Sequence, residues 1–563
     1  MHRRLTLLSD RTFDVVVLGG GVLGACVARD AALRGFTVAL LERDDFGSGT
    51  SANSLKVVHG GLRQLQHLDL KGMRDSARER AAWLRTAPHL VEPIPVLVPL
   101  SGGPAEALAY RAALAMNDMM SAGTDGDLPL ERTIPPGRIL GREECLSMVP
   151  ELDREGITGG ALFHDAVMYS AERLVLEVVQ GAMEAGAQVA NRVEAMAPLL
   201  AGDRRMGIVA RDRETQEEIP VRARIVVNAA GPWAPALTDR LLGRPVPHAP
   251  ALSLAWNLVL HGMGHRTAFA LAGRGGTPTG SRAGRRPRRL FVLPWRGRTL
   301  VGTGHARFGN DPAALASVDL EHPALRDFLE EVNRAWPGTP LTADDVLLTH
   351  LGLLPAHPTG DAQSGPGRLG ASENRPGGRP KSGGRVRLLG RHRVAVDADG
   401  GTPVLTATTV KFTRARKVAK EVVDRVGGLL GAGATVCRTA EKLLPGAPAQ
   451  GLPALLDQAR RELGDTLAED VVEHLVRSHG TGYGEVVAWR SKDPEWSRRL
   501  SPDAPVIRAQ LLHAVHREMA GSVEDLLFRR SELGPRGLVD AAAREVATGI
   551  LARGSVTGGP GSS

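Results

Sequence analysis

The sequence predicts an α/β fold built on a parallel sheet, extended by an antiparallel sheet and closed by a C-terminal all-α domain. Three observations carry that reading. A β-branched run, Val15-Val16-Val17-Leu18, breaks at once into Gly19-Gly20-Gly21-Val22-Leu23-Gly24 and a helical pattern to Arg34. From Leu252 to Leu351 the helix-separated strands give way to strands joined by loops. From Arg438 to about Arg553 the pattern is helical throughout.

Short and free of charge, residues 15–18 read as a buried parallel strand. Glycine fills the fixed positions Gly19, Gly21 and Gly24 of G-x-G-x-x-G. There the missing side chains permit a tight turn and bring backbone N–H groups to a pyrophosphate at a helix N-terminus. Gly35 closes the helix, residues 37–41 form the next strand, and Glu42 with Arg43 ends it. An acidic side chain about twenty residues past the glycines is placed to accept hydrogen bonds from a ribose. This is a Rossmann-type dinucleotide site. By itself it leaves NAD and FAD equal, since both present the same ADP half.

With 563 residues the chain can build two or three full-sized domains. Its 42% hydrophobic and 23% charged content is that of a soluble globular protein. The formal charge of +8 suits an anionic surface or substrate, although an arginine-rich coding bias gives the same figure. Cys26, Cys145 and Cys437 are far apart and form no C-x-x-C pair, which points to a reducing compartment and no metal site. The leader before Phe13 lacks a signal-peptide core, and no apolar run reaches about 18 residues. A cytoplasmic protein is expected, at most peripheral on the inner face of the membrane.

In chain order, a polar helix follows from Leu68 to Arg85, then a Pro-punctuated strand-like run to Pro99, and a helix from Ala105 to Met120 whose methionines suit core packing. Asp165 precedes a helix from Ser170 to Glu184, and Gln188 to Leu200 reads as a strand near an adenine, with Val193 among its contacts. Arg224 to Trp233 repeats the strand-to-small-residue break at Ala229-Ala230-Gly231. Strands at 254–260, 290–294 and 299–304 form an antiparallel sheet, approached by a loop with Arg282, Arg285, Arg286, Arg288 and Arg289. Residues 359–384 are too rich in Gly, Pro, Ser and Arg to pack and read as a flexible insertion. Strands at 386–389 and 404–407 lead to a helix from Arg414 to Val426.

Three segments specify more. They are Ser48 to Ser54 followed by Lys56-Val57-Val58-His59-Gly60-Gly61-Leu62-Arg63, the Ala229-Ala230-Gly231-Pro232-Trp233 break, and Thr409-Val410-Lys411-Phe412-Thr413. Together with Glu518, Leu526, Leu527, Arg529 and Arg530, they resemble the FAD-dependent glycerol-3-phosphate dehydrogenases of the D-amino-acid-oxidase-like superfamily. The likeness spans nearly the whole chain. It implies a discontinuous FAD-binding domain (12–95, 150–248 and 385–436), a substrate or cap domain (96–149 and 249–358), the insertion at 359–384, and a helical domain (437–553).

The resemblance also implies noncovalent FAD. Its contacts would come from Gly19, Gly21, Gly24, Glu42, Arg43, Thr50, Ser51, Ser54, Lys56, His59, Gly60, Gly61, Val193, Ala230, Gly231, Lys411, Phe412 and Thr413. The implied reaction passes a hydride from C2 of glycerol 3-phosphate to flavin N5, then electrons to a quinone or oxygen. Arg63 and Lys411 are the cations expected to hold the phosphate. The arginine loop at 282–289 is a candidate docking patch for an anionic membrane, a homodimer is admitted, and nucleic acid is not expected as a partner.

The chain departs from that pattern around the expected substrate. Leu354 stands in Gly352-Leu353-Leu354-Pro355 where the family carries arginine, and Trp256 stands where it carries histidine. Gln64 replaces a tyrosine, and His305 replaces an acidic residue. His305 or Asn257 would then serve near the hydroxyl. Two alternatives follow: an FAD oxidoreductase for another hydroxy compound or an amine, and a flavin-binding scaffold that has lost catalysis.

Overall fold

The computed structural model describes residues 1–62, 69–124, 126, 128–152, 154–246, 249–272, 289–309, 311–336, 338, 340–357, 387–433 and 436–554. Arg63, Gln64, the arginines 282–288 and the whole 359–384 insertion lie outside that set, as does the side chain of Arg289.

Thr12–Leu18 is the central strand of the first sheet. It pairs in parallel with Val38–Leu41 on one side and Glu218–Asn228 on the other. Gln188–Ala190 and Val404–Thr408 extend the parallel array outward. Helices Val22–Leu33, Ala171–Glu184 and Ala415–Leu430 bury one face through Val27, Val175 and Val422. The other face lies under Ile208, Ala210 and Leu241. Coverage on both faces explains why the central strand reads as an unbroken apolar run. Because Leu18 stands opposite both Leu41 and Asn228, three strands end at one level and open a crevice there.

The second sheet runs in the order Val346–Ala356, Ala251–His261, Arg298–Phe308, Arg289–Trp295, Ala268–Ala272, Val91–Leu100, Gly159–Met168 and Val57–Val58. All its pairs are antiparallel except Ala268–Ala272 with Val91–Leu100. It therefore takes residues 57–58, 91–95 and 159–168 from stretches that the sequence boundaries give to the FAD-binding domain. The chain crosses between the sheets more often than motif spacing reveals.

Two local expectations are corrected. The strand expected over 188–200 is two, Gln188–Ala190 and Val193–Ala201, broken where Arg192 takes φ of +58°. The helix Gly103–Ser121 buries only Leu114 and Asn117 and leaves Met119 56% exposed, so its methionines do not fill a core. The helical domain closes around its own core, which includes Val472, Leu475, Leu511, Leu526 and Leu527. No helix among the described residues is long and apolar enough to cross a membrane.

Candidate active site

A cleft of about 3490 Å³ runs along the strand ends and under the second sheet. The glycine turn forms one end of it. A Cβ on Gly19 would stand 2.8 Å from Ala229 O, and one on Gly24 would collide with Gly19 O, so both glycines serve close packing. Gly21 differs, because its Cβ would meet only Ser51 Oγ, at 3.2 Å, and Gly21 lines the cleft. It caps the helix Val22–Leu33 without a capping side chain, while Val22 N–H donates to Ser51 Oγ at 3.0 Å. A helix N-terminus thus faces the cleft and favours an anion there.

Glu42 also lines the cleft and takes the N–H groups of Gly20 (2.6 Å) and Asp44 (2.8 Å). Burial pushes its carboxyl up to about 7 against those two hydrogen bonds. Beside it, the Arg43 guanidinium stacks 4.6 Å over the Trp233 ring, just past Ala230 and Gly231 in the cleft wall. Val193 and Ser54 line the same wall, and Thr50 Oγ1 bonds both Leu353 O (3.0 Å) and Leu353 N (3.1 Å), tying this loop to the second sheet. Lys56 is not brought to the cleft. Its left-handed backbone (φ +63°) turns the side chain into the core, where Nζ pairs with Glu172 at 2.6 Å and donates to Ala52 O at 2.6 Å.

At the other end stands His59. Its Nδ1 lies 3.0 Å from the buried Asp165 carboxylate, and its ring is half exposed to the cleft. Burial alone would raise the Asp165 carboxyl, but His59, Arg80 and the Gly60 N–H (2.6 Å) hold it below its ordinary value. Gly60 is itself fixed by that bond, since a Cβ there would strike the Arg80 guanidinium. His59 N–H donates to Thr413 Oγ1 at 3.1 Å, which joins this turn to the cleft-lining run Lys411, Phe412 and Thr413; Gly61 lines the cleft beside it. Sequence reasoning read Asp165 only as a helix neighbour, whereas its carboxylate is the partner of the His59 ring. Its partnership with His59 comes from strand register, Val57 opposite Val167 and Val58 opposite Ala166.

Overhead, Trp256 and Asn257 fill a gap made by two glycines. A Cβ on Gly302 would strike Asn257, and one on Gly304 would strike the Trp256 ring. Asn257 is buried and accepts from Thr303 Oγ1 at 2.9 Å. Trp256 packs edge-on against Phe328 at 5.6 Å, and its Nε1 is buried with no acceptor among the described residues. His305, opposite Ala255, and Leu354, opposite Ser253, complete the lining.

The profile of the FAD dependent oxidoreductases matches residues 14–410, and that of the C-terminal domain of alpha-glycerophosphate oxidase matches residues 437–552. A glycerol-3-phosphate dehydrogenase of Synechocystis is 30% identical over 94% of this chain and 90% of its own length. Glycerol-3-phosphate dehydrogenase 1 of Mycobacterium bovis is 32% identical over 96% of each. In fold, the chain matches the FAD complex of the Bacillus halodurans glycerol-3-phosphate dehydrogenase with a TM-score of 0.68, at 22% identity over 98% of this chain and 96% of that one. The chain belongs to the FAD-dependent oxidoreductase family, in the branch that carries the alpha-glycerophosphate oxidase C-terminal domain.

Proposed function

We propose that this protein oxidises the secondary hydroxyl of glycerol 3-phosphate, with FAD in the long cleft. The carrying observation is the His59–Asp165 pair at the end of the cleft opposite the glycine turn. The residues present fit FAD: a helix N-terminus with an open glycine at one end, small residues Ala230 and Gly231 along the wall, and the second sheet over the far end. When bound, FAD supplies a two-electron acceptor. The protein's own work is to take the hydroxyl proton and to hold the charged end of the substrate.

His59 suits the first task. Asp165 fixes Nδ1, which leaves Nε2 as the ring nitrogen without a partner among the described residues, open to accept a proton. Lys411 lines the cleft beside Thr413 and supplies a cation for the phosphate, with Arg63 as the second cation from the Gly60-Gly61 turn. Asn257 and His305 offer polar contacts to the polyol from the second sheet. Gly19, Gly21, Glu42, Arg43, Thr50, Ser51, Ser54, Val193, Ala230, Gly231 and Phe412 would contact the cofactor, with Gly24 and Gly60 shaping the backbone around it.

A second reading, oxidation of another hydroxy compound or an amine, is favoured by Trp256 and Leu354, which give the cleft a bulky apolar wall. Anaerobic mixing separates the two. Glycerol 3-phosphate should bleach the flavin absorbance within seconds. Bleaching only by an uncharged alcohol or an amine would sink the phosphate reading, and bleaching by none would leave a scaffold.

Electrons would then pass to a quinone or oxygen. We further propose that Arg282, Arg285, Arg286, Arg288 and Arg289 dock a peripheral, cytoplasmic-face enzyme on anionic lipid, at about 1 kcal/mol per cation. Serine at all five should abolish co-sedimentation with anionic vesicles; unchanged binding would refute the docking.

A further inference from the structure

Away from the cleft, helices Leu70–Thr86 and Ala415–Leu430 flank a second, open cavity of about 400 Å³, completed by the turn at 122–124 and by Ala440. Its lining shares no residue with the first. Six basic side chains face it, Arg74, Arg78, Arg85, Arg416, Lys417 and Lys420, against only two acidic ones, Asp75 and Glu79.

Local pairing accounts for half of these cations. Arg416 Nε donates to Glu79 at 2.9 Å, Lys417 pairs with Asp75, and Lys420 reaches away to Asp424 at 2.7 Å. Among the described residues Arg85 reaches only main-chain oxygens, Ala440 O at 3.4 Å and Thr124 O at 3.5 Å, and its buried Nε meets no acceptor there. Arg74 and Arg78 are exposed and pair with nothing among the described residues.

The spacing sharpens the point. Arg74 and Arg78 are one helical turn apart and Arg85 is two turns further on, so the three form one stripe. Arg416 and Lys420 form another on the facing helix. Like charges four residues apart repel. Both stripes border the same open groove, the first with two exposed guanidinium groups unpaired among the described residues.

We propose that this cavity is a second ligand site, for a small molecule bearing two or more phosphate groups, with Arg74, Arg78 and Arg85 as its phosphate ligands. The volume falls in the range of about 300 to 1,000 Å³ usual for small-ligand pockets, more than one simple anion requires. Guanidinium groups match phosphate with paired donors in a fixed plane. The site is linked to the cleft: the helix that carries Arg74 and Arg78 also presents Ser76 to it, and Trp83 Nε1 bonds Thr413 O at 3.2 Å.

The phosphates could belong to a soluble metabolite or to a lipid headgroup, and two arms distinguish them. FAD-loaded protein is titrated calorimetrically with pyrophosphate at constant ionic strength, and is co-sedimented with vesicles of cardiolipin, whose headgroup carries two phosphates, or of phosphatidylcholine. The test variant carries Arg74→Ser and Arg78→Ser, both exposed and unpaired; a charge-matched control carries Arg154→Ser and Arg326→Ser. The expected result is pyrophosphate binding weakened about tenfold or more in the test variant and unchanged in the control. Loss of cardiolipin binding in the test variant alone, with no pyrophosphate binding by any protein, assigns the site to a headgroup. Pyrophosphate bound equally by all three proteins, as at the first cleft, overturns the proposal, and so does the absence of any difference in both arms.

Discussion

At the scale of single residues, the glycine turn separates binding from folding. Gly21 faces open cleft, so Gly21→Val should fold and purify without flavin, its side chain filling the space left for a pyrophosphate. Gly24 packs against Gly19 O, so Gly24→Val should fail to fold at all. Visible absorbance and circular dichroism of the two variants distinguish these outcomes, and a yellow Gly21→Val protein would count against the assignment. His59 makes the sharper test of chemistry. His59→Gln keeps the bulk near Asp165 but loses the proton acceptor, and kcat should drop by about a hundredfold or more while flavin content holds. Asp165→Asn should also lower kcat, with a loss of stability that His59→Gln does not share, because Gly60 N–H and Arg80 both rely on that carboxylate.

At the scale of elements, the short turn Phe412–Arg414 and the helix Ala415–Leu430 place Lys411 beside the His59 turn, with a helix N-terminus nearby that favours negative charge. Lys411→Met should therefore raise KM for glycerol 3-phosphate by about 2 kcal/mol, roughly thirtyfold, and leave KM for glycerol little changed. Equal changes for both substrates would remove Lys411 from phosphate binding. The parallel strands, the glycine turn and the antiparallel hairpins were legible in the sequence because each is written in local spacing and composition. Asp165 was not, since only the pairing of residues 57–58 with 166–167 brings it to His59. Lys56 misled for a related reason: a left-handed backbone at a non-glycine residue leaves no mark in the sequence and sends the side chain to Glu172. The methionines of Gly103–Ser121 misled because apolar composition does not say which helix face finds a partner, and this helix meets a core through Leu114, Ala107 and Tyr110 while it lines the cleft with Ala109 and Ala113.

At the scale of the whole molecule, the helical domain is clamped to the cofactor end of the cleft by buried charge. Arg530 donates to both oxygens of Asp45 (2.7 and 2.8 Å), three residues past Glu42, and Arg173 donates to both oxygens of Glu518 (2.7 and 2.8 Å). His479, His513 and Glu518 lie close enough to hold a metal ion, but the Arg173 guanidinium already occupies both carboxylate oxygens, so a chelator should leave the melting temperature unchanged. Acid should act differently. Burial would raise the Glu518 carboxyl, yet Arg173, His513, His479 and Arg530 outweigh it and hold it to about 2. A depressed carboxylate stabilises the fold above its ordinary value near 4.5 and loses that contribution as pH falls towards 2. His474 and His479 are driven well below 6.5, first by burial and then by nearby charge, chiefly from Arg296 for His474 and Arg173 for His479. A histidine held neutral in this way stabilises the fold above pH 6.5 and opposes it below, because only the unfolded chain then takes up the proton. Both effects have the same sign. Glu42, pushed up to about 7, opposes them between pH 7 and 4.5, because there the fold holds the extra proton. It is one group against two histidines, so stability should begin to fall near pH 6.5 and fall further below 4.5. The helical domain should loosen first, with a shift in the emission of its buried Trp489 and Trp496 and release of flavin, since Arg529 and Asp525 line the cleft. Arg173→Met should remove the one bidentate partner of Glu518, leaving Arg530 Nε at 3.8 Å as its remaining cation, and lower stability by about 3 kcal/mol at pH 8. A melting temperature for that variant equal to the parent's at pH 8 would show that the clamp does not hold the domain.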